Sequence, residues 1–229
     1  MERPSFIDAL KKGQEQHGLA VIAEYKRASP SKGVINLRLS PEDVADAYAR
    51  GTASALSVLT EESYFQGKLE YLERMTAPGL PLLRKDFLLS PLQITQTLAT
   101  PASALLVIVR MFDSDKELAA MIQASLQAGL EPIVEIFGQD EAKRAQGAGA
   151  RVIQVNNRDL DSLQVDLAIS EKLITARKDH ELWISASGVS TADDMDRLEA
   201  LGFDAALIGT WLMAGDDPQG ALRGLRRLS

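Results

Sequence analysis

Residues 19–33 read LAVIAEYKRASPSKG, an apolar run that gives way to charges and then to a turn. The run Leu19–Ala23 is short and continuously apolar, as is typical of a strand buried on both faces of a parallel sheet. Glu24 and Lys26 follow at once, and proline and glycine in residues 28–33 indicate a loop. We therefore expect a buried strand whose carboxyl end presents charged groups to a ligand.

Seven later segments repeat this arrangement along the chain. The predicted strands are Leu19–Ala23, Ala55–Leu59, Leu80–Leu83, Ala104–Val109, Pro132–Ile136, Arg151–Val155, Leu182–Ser185 and Ala205–Ile208. Helical patterns between them cover Pro41–Arg50, Asp115–Ala128, Gln139–Gln146 and Ala192–Leu201, with Ser40 and Thr191 as N-caps. Eight strand–helix units without a linker predict a single (β/α)8 barrel, a TIM barrel, over residues 1–229. A doubly wound sheet is the alternative, but no glycine-rich fingerprint follows the first strand.

Glycine stands where four of the helices must end, at positions 51, 129, 149 and 202. A left-handed backbone conformation is nearly free for glycine and stops a helix. We expect that conformation at all four positions.

Composition excludes several classes of function. The chain has 45% hydrophobic residues, 25% charged residues and a net charge of −7, which argues against binding to a nucleic-acid backbone. It contains no cysteine, and its two histidines, His17 and His180, lie in polar surroundings without metal-ligand spacing, so we expect no metal site. The start of the chain has no apolar run of the kind that a secretion signal needs, and no stretch approaches the ~20 apolar residues of a membrane span. We expect a cytoplasmic protein.

The polar residues that follow the predicted strands should meet at one mouth of such a barrel. They are Glu24, Lys26, Thr60, Lys85, Asp86, Glu135, Asn156, Asn157, Arg158, Asp159, Ser187, Gly188, Gly209 and Thr210. Two lysines, two glutamates and an arginine suit acid–base chemistry on an anionic substrate. Loops after the seventh and eighth strands commonly bind phosphate in this fold.

Each of these candidates also has a structural reading. Lys26 and Lys85 are either solvated surface charges or proton donors and anion anchors. Glu135 is either an ion-pair partner of a lysine or a general base. The glycine-containing loops after strands seven and eight are either tight turns or a phosphate site, and the stretch 156–160 is either a solvated loop or a grip on carboxylate and hydroxyl groups.

The aromatic residues divide in the same way. Tyr64, Phe65 and Phe87 follow the second and third strands, where they either anchor loops or form a wall for an aromatic ring. We interpret Trp183 and Trp211 as packing residues.

Several motifs together resemble the indole-3-glycerol-phosphate synthase family. They are Ile22–Gly33, Leu56–Thr60 with Tyr64, Phe65 and Gly67, Leu83–Phe87, Asn156–Leu160, Ser187–Gly188 and Leu207–Thr210. The similarity runs in unbroken order from about Ser5 to Leu225. It implies a (β/α)8 carboxy-lyase of tryptophan biosynthesis that closes the indole ring of 1-(2-carboxyphenylamino)-1-deoxyribulose 5-phosphate. Carbon dioxide and water are released, without metal or organic cofactor.

The resemblance also implies roles for individual residues. Lys85 is the expected general acid in ring closure, Glu135 the acid–base partner in loss of water, and Glu24 the support for the lysines. Lys26 is expected to bind substrate anions, and which lysine serves which step stays open. Other expected contacts are Asn156 and Arg158 for carboxylate and hydroxyl groups, Phe65, Phe87 and Leu106 for the aromatic ring, and Ser29, Ser187, Gly188, Gly209 and Thr210 for phosphate. The expected partner is the phosphorylated substrate, with no nucleic acid or membrane, for a monomer that could associate with other enzymes of the pathway.

Two features depart from the family pattern. The family has a glutamate before the Ser-Gly pair that follows strand seven, where this chain has Ala186. Loss of a charge-stabilising group there corresponds to about 2–4 kcal/mol of transition-state stabilisation. We also expect the fold to lack most of the family's extra N-terminal helical segment, since the stretch Pro4–Phe6 lies almost at Met1.

These departures keep a second class of function open, a phosphate-ligand-binding or subunit-interaction barrel that has lost turnover. A phosphoribosylanthranilate isomerase is a third reading. That family uses a cysteine and an aspartate as acid and base, and this chain has no cysteine.

Overall fold

The computed structural model describes residues 3–159 and 162–228. Eight parallel strands close into a barrel in which each strand pairs with its neighbours in chain order, and β1 pairs with both β2 and β8. The strands β1–β8 are Ala20–Tyr25, Ala55–Leu59, Leu82–Lys85, Ala104–Ile108, Glu131–Ile136, Val152–Asn156, Leu182–Ala186 and Ala205–Ile208. The predicted (β/α)8 barrel is therefore confirmed, and the predicted strands differ from these only at their ends.

Helices connect the strands and surround them. The helices α1–α10 are Phe6–His17, Pro41–Arg50, Tyr71–Arg74, Pro91–Leu98, Asp115–Gln127, Gln139–Gly147, Ala168–Leu173, Ala192–Ala200, Thr210–Met213 and Pro218–Leu225. Ser40 and Thr191 accept hydrogen bonds from Asp43 N and Asp194 N, so both predicted N-caps are confirmed. In the described part of the chain, none of the helices has the length and apolarity to traverse a bilayer.

Helix α1, which the sequence analysis did not predict, closes the amino-terminal end of the barrel. Phe6 and Leu10 on this helix are buried in one apolar cluster with inward-facing strand residues such as Ala20 and Ile22. Burial of each of these two side chains contributes roughly 1.5–3 kcal/mol. The barrel is thus sealed by apolar contacts at this end, and its other end is open.

The joint at Gly51 differs from the prediction. Gly129, Gly149 and Gly202 have positive φ as expected, but φ of Gly51 is −79° and the following Thr52 has φ of 70°. A Cβ at position 51 would lie 3.0–3.2 Å from side-chain atoms of Leu222. Glycine is therefore used here because helix α10 packs closely against the end of α2, and the prediction of a left-handed Gly51 was wrong.

Candidate active site

A cavity of about 700 Å³ opens at the carboxyl ends of the strands. The structure brings almost all of the predicted site residues to its lining: Glu24, Lys26, Ser29, Phe65, Lys85, Phe87, Glu135, Asn156, Arg158, Ser187, Gly188, Gly209 and Thr210. These residues come from all parts of the chain and meet because parallel strands end at the same edge. Leu160, which belongs to one of the quoted motifs, lies outside the described residues.

Leu106 is the one residue with an expected catalytic or binding role that does not line this cavity. It is buried in the middle of β4, and Ile108, two residues further along the same strand, lines the cavity instead. Alternate residues of a strand point to the same face, so Leu106 lies one layer deeper in the barrel interior. Ile108, and not Leu106, is therefore the apolar residue of β4 that lines the cavity.

Glu24 lies at the carboxyl end of β1 and forms the first charged pair of the site. Its Oε1 is 2.8 Å from Lys26 Nζ, and its Oε2 is 3.5 Å from the hydroxyl of Ser57. Burial by itself would raise the pKa of Glu24, but the positive charges of Lys26 and Lys85 outweigh it and hold the pKa below its ordinary value. Glu24 is therefore an anion at neutral pH despite its burial.

Lys85 and Glu135 form the second pair across the cavity floor. Lys85 Nζ is 3.7 Å from Glu135 Oε2, and the Glu135 side chain is almost completely buried. Burial would lower the pKa of Lys85, but the negative charges of Glu135 and Glu24 raise it above its ordinary value. Lys85 is thus a protonated lysine between two carboxylates, which is the state that a proton donor requires.

Asn156 and Arg158 face the same cavity from the end of β6. The side-chain oxygen of Asn156 accepts hydrogen bonds from Arg158 N at 3.1 Å and from the Ser187 hydroxyl at 3.0 Å. Arg158 Nη1 donates to the carbonyl of Leu163 at 2.8 Å, which holds the guanidinium at the rim. Burial lowers the pKa of Arg158, and the charge of Glu24 opposes that effect.

Asn157 has a different position from its two neighbours. It is fully buried, and its amide donates to the hydroxyl of Ser185 and to the carbonyls of Ala186 and Ser187. Its side-chain oxygen accepts from both the N–H and the hydroxyl of Ser170. Asn157 therefore ties the loops after β6 and β7 together, a role that its sequence position alone did not reveal.

The predicted phosphate residues lie together on one side of the mouth. Ser187 and Gly188 both have positive φ, 69° and 100°, which turns the chain sharply after β7. Gly209 packs against β1, because a Cβ at this position would overlap the Glu24 carboxylate and lie 3.0 Å from the Glu24 Cβ. Ser29, in a short hairpin formed by Ala28–Ser29 and Gly33–Val34, faces them.

Aromatic side chains form another part of the cavity lining. The rings of Phe65 and Phe87 lie with their centroids 6.4 Å apart, and Tyr64 also lines the cavity. Trp183 is fully buried as expected, but Trp211 is 48% exposed and lines the cavity, so its interpretation as a packing residue was wrong. Trp211 is the second residue of α9, the helical turn after β8, and its indole is directed outwards from that turn.

Phe137 is a further aromatic residue of the lining that the sequence analysis missed. The guanidinium of Arg110 lies 3.8 Å from the centre of its ring, and Arg110 is fixed by an ion pair with Glu141 at 2.9 Å. Glu141 in turn accepts a hydrogen bond from Phe137 N at 2.8 Å. The position directly after β5 was the only signal in the sequence that could have indicated this residue.

Thr60 and Asp86 serve the scaffold of the site. Asp86 Oδ2 accepts from the Thr60 hydroxyl at 2.7 Å and is 2.9 Å from Arg84 Nη2, whose guanidinium is buried outside the barrel wall. These contacts fix the ends of β2 and β3. They hold Lys85, which lies between Arg84 and Asp86, at a defined place in the mouth.

Ala186 lies at the end of β7 beside Asn156 and Leu207. It is 2% exposed and lines the cavity. The position therefore faces the site, and a short apolar side chain occupies it. No carboxylate enters the cavity from β7.

Comparison with known sequences gives a consistent result. Residues 1–225 match the family model for indole-3-glycerol phosphate synthase. The chain is 43% identical over 227 residues to the indole-3-glycerol phosphate synthase of Aquifex aeolicus, covering 98% of this chain and 87% of that protein. It is 42% identical to the enzyme of the same name from Roseiflexus castenholzii, covering 91% and 81% of the two chains.

Solved structures show the same fold at low sequence identity. The 3-hexulose-6-phosphate synthase of Salmonella typhimurium superposes with a TM-score of 0.71 at 12% identity, over 91% of this chain and 97% of that one. The thiamine phosphate pyrophosphorylase of Pyrococcus furiosus gives 0.66 at 15% identity, over 93% and 96%. These likenesses concern the barrel alone. The sequence matches, which extend over nearly the whole chain, show that the chain belongs to the indole-3-glycerol phosphate synthase family.

Proposed function

We propose that this mouth catalyses the indole-3-glycerol phosphate synthase reaction with Lys85, Glu135, Glu24 and Lys26 as its catalytic groups. The substrate, 1-(2-carboxyphenylamino)-1-deoxyribulose 5-phosphate, has a phosphate at one end and a benzoate ring at the other. The cavity lining supports this proposal, because it contains both glycine-containing loops for the phosphate and the rings of Phe65 and Phe87 for the benzoate. A substrate held at both ends brings its ring carbon and its ketone close together.

Ring closure joins the ring carbon that bears the carboxylate to the ketone carbon. The ketone oxygen gains a proton as this bond forms, and Lys85 is the proposed donor, because its pKa is raised and it remains charged until the reaction takes its proton. Glu24 and Glu135 stabilise the positive charge that develops on the substrate, since both are buried carboxylates at the cavity floor. Lys26 binds substrate anions beside Glu24.

The later steps remove carbon dioxide and water. The bond to the carboxylate carbon breaks, carbon dioxide leaves, and the electron pair returns to the ring system. The hydroxyl made in ring closure then takes a proton and leaves as water, and the neighbouring carbon that bears the nitrogen loses a proton, so that its C–H electron pair forms the double bond of the new ring. Glu135 is the proposed acid–base group for this step. Asn156 and Arg158, which line the cavity, are the proposed contacts of the carboxylate and the hydroxyl groups of the substrate until these bonds break.

The observation that carries this proposal is the position of Lys85 Nζ, 3.7 Å from Glu135 Oε2 and within the field of Glu24. A binding barrel without turnover would not need a charged lysine buried between two carboxylates, since buried charges are costly unless they are used or well paired. The alternative of a pure binding protein is therefore not favoured.

The test is formation of indole-3-glycerol phosphate, followed by indole fluorescence after the protein is mixed with the substrate. We expect turnover by the wild-type chain and loss of turnover in Lys85→Ala. A folded wild-type protein that binds the substrate but gives no product would contradict the proposal, and would favour the ligand-binding alternative.

The remaining proposals concern the protein as a whole. We infer that residues 1–229 form one domain and that the protein is a monomer in the cytoplasm. We also propose that it can associate with other enzymes of tryptophan biosynthesis. Light scattering of the purified chain gives its oligomeric state, and cell fractionation gives its location. A dimer or a membrane-bound fraction would contradict these points without affecting the catalytic proposal.

A further inference from the structure

Gln154 is a polar residue in the interior of the barrel to which no motif assigned a role. It lies on β6, two residues before Asn156, and its side chain is fully buried. Its register partners on the two flanking strands are Glu135 and Ile184. Residues at this depth are usually apolar, so an amide here calls for a physical reason.

The amide of Gln154 is directed by its partner. Its Nε2 donates a hydrogen bond to Glu135 Oε2, and its Oε1 has no hydrogen-bond partner among the described residues. A carboxylate only accepts, so the amide must present its nitrogen to Glu135, and its own carbonyl oxygen stays unpaired. An unpaired buried carbonyl reduces stability, which an apolar side chain of the same size would avoid. Filling the interior is therefore a poor explanation for Gln154.

The contact makes the two oxygens of Glu135 unequal. Oε2 accepts the hydrogen bond from Gln154 and also lies 3.7 Å from Lys85 Nζ. Oε1 has neither of these two contacts. We propose that Gln154 is a positioning residue, which fixes Oε2 of Glu135 and leaves Oε1 as the oxygen that meets the substrate. This inference rests on the acid–base role proposed for Glu135.

The surroundings of Glu135 allow this role to be separated from charge effects. Lys85 on β3 faces it, and beyond Lys85 lie Glu24 and Lys26 at the end of β1. The adjoining strand β4 presents only apolar side chains, and on β6 the charge of Arg158 lies at the rim. Gln154 is a neutral donor, so Gln154→Met removes one hydrogen bond while net charge and approximate side-chain size are kept.

The kinetic test compares Gln154→Met with Ile184→Met. Ile184 lies in the buried interior on β7, on the side of Gln154 that is away from Glu135. Ile184→Met therefore introduces a methionine at similar depth without touching the contact to Glu135. We expect Gln154→Met to lower kcat roughly ten- to hundredfold with KM changed less than about twofold, as for loss of a hydrogen bond to a charged group. Equal kcat in wild type and Gln154→Met would overturn the proposal.

A spectroscopic test does not depend on turnover. The carboxyl ¹³C signal of Glu135, identified by its disappearance in Glu135→Gln, should shift in Gln154→Met and stay in place in Ile184→Met. An unchanged signal in Gln154→Met would overturn the inference, even in an active enzyme. A shifted signal in a protein without synthase activity would support the contact and contradict the proposed function instead. Where the methionine variant fails to fold, Gln154→Glu keeps the shape and must shift the same signal, because it replaces the donating amide beside Glu135 with a carboxyl group.

Discussion

Replacement of Asn157 by alanine tests whether the buried amide network holds the mouth of the barrel together. The substitution removes three donated hydrogen bonds, to Ser185, Ala186 and Ser187, and two accepted ones, both from Ser170. The consequences differ between these partners. Ala186 O still accepts from the backbone N–H of residue 157, and the hydroxyls of Ser185 and Ser170 still bond to each other.

Two groups lose the partner that the structure gives them. They are the carbonyl of Ser187 and the N–H of Ser170, which lies in the first turn of α7 and has no acceptor within its own helix. A buried polar group left unpaired costs about 1–3 kcal/mol, so the buried N–H of Ser170 predicts a loss of that size in the free energy of unfolding. The carbonyl of Ser187 is only partly buried at the cavity, where water can replace the lost donor, and it adds little. The loss should also release Ser187 from its left-handed conformation, because its carbonyl is no longer held.

Urea unfolding followed by circular dichroism measures this loss. Asn156→Ala is the matched control, since that residue is the same amino acid one position earlier, is partly exposed to the cavity and forms only two side-chain hydrogen bonds. We expect the free energy of unfolding of Asn156→Ala to fall by about 1 kcal/mol or less, whatever the effect of this variant on substrate binding. Equal losses in the two variants, or a loss below about 1 kcal/mol in Asn157→Ala, would refute the assignment of this cost to unpaired buried groups.

Three further outcomes are expected. Lys85→Met should lower kcat at least roughly a hundredfold, since it removes the proposed proton donor, and steady-state kinetics in which kcat stays within about tenfold would exclude that role. Ala186→Glu should raise kcat, because a carboxylate at the end of β7 is expected to stabilise positive charge in the transition state by up to about 2–4 kcal/mol. An unchanged or lower kcat in this variant would contradict that expectation. The folded-state pKa of Glu24 is lowered, so its contribution to stability is present above the ordinary value of 4.5 and disappears as pH falls through the folded-state pKa. Urea unfolding between about pH 7 and pH 3 should therefore show a steeper loss of stability for wild type than for Glu24→Gln, and parallel curves would contradict this pH dependence.

The barrel could be predicted from the sequence because its determinants are local. A continuously apolar run specifies a buried strand, and a glycine or a capping serine specifies where a helix stops or begins. The placement of Glu24, Lys85 and Glu135 in one cavity followed from the barrel, since parallel strands deliver the residues after them to the same end. Local patterns therefore identified these three residues, and the barrel topology predicted that they lie close together.

The features that were missed depend on contacts between distant segments. Gln154 and Asn157 owe their roles to partners on neighbouring strands, and the close approach of Leu222 explains Gly51. Trp211 was misinterpreted because its exposure depends on how the helical turn after β8 is directed. None of these facts is visible in the local pattern around the residue concerned.

The contact between Gly209 and Glu24 has a consequence for how such a site can change. Gly209 belongs to the loops on the phosphate side, yet a side chain at this position would displace the carboxylate that pairs with Lys26. The absence of a side chain at Gly209 therefore matters both for the proposed anion site after β8 and for the position of the Glu24 carboxylate at the end of β1. Exchange of the β8 loop for one from another phosphate-binding barrel should preserve the arrangement of Glu24 only if the incoming loop also has glycine here. The first and last strands form a unit that has to be transplanted together.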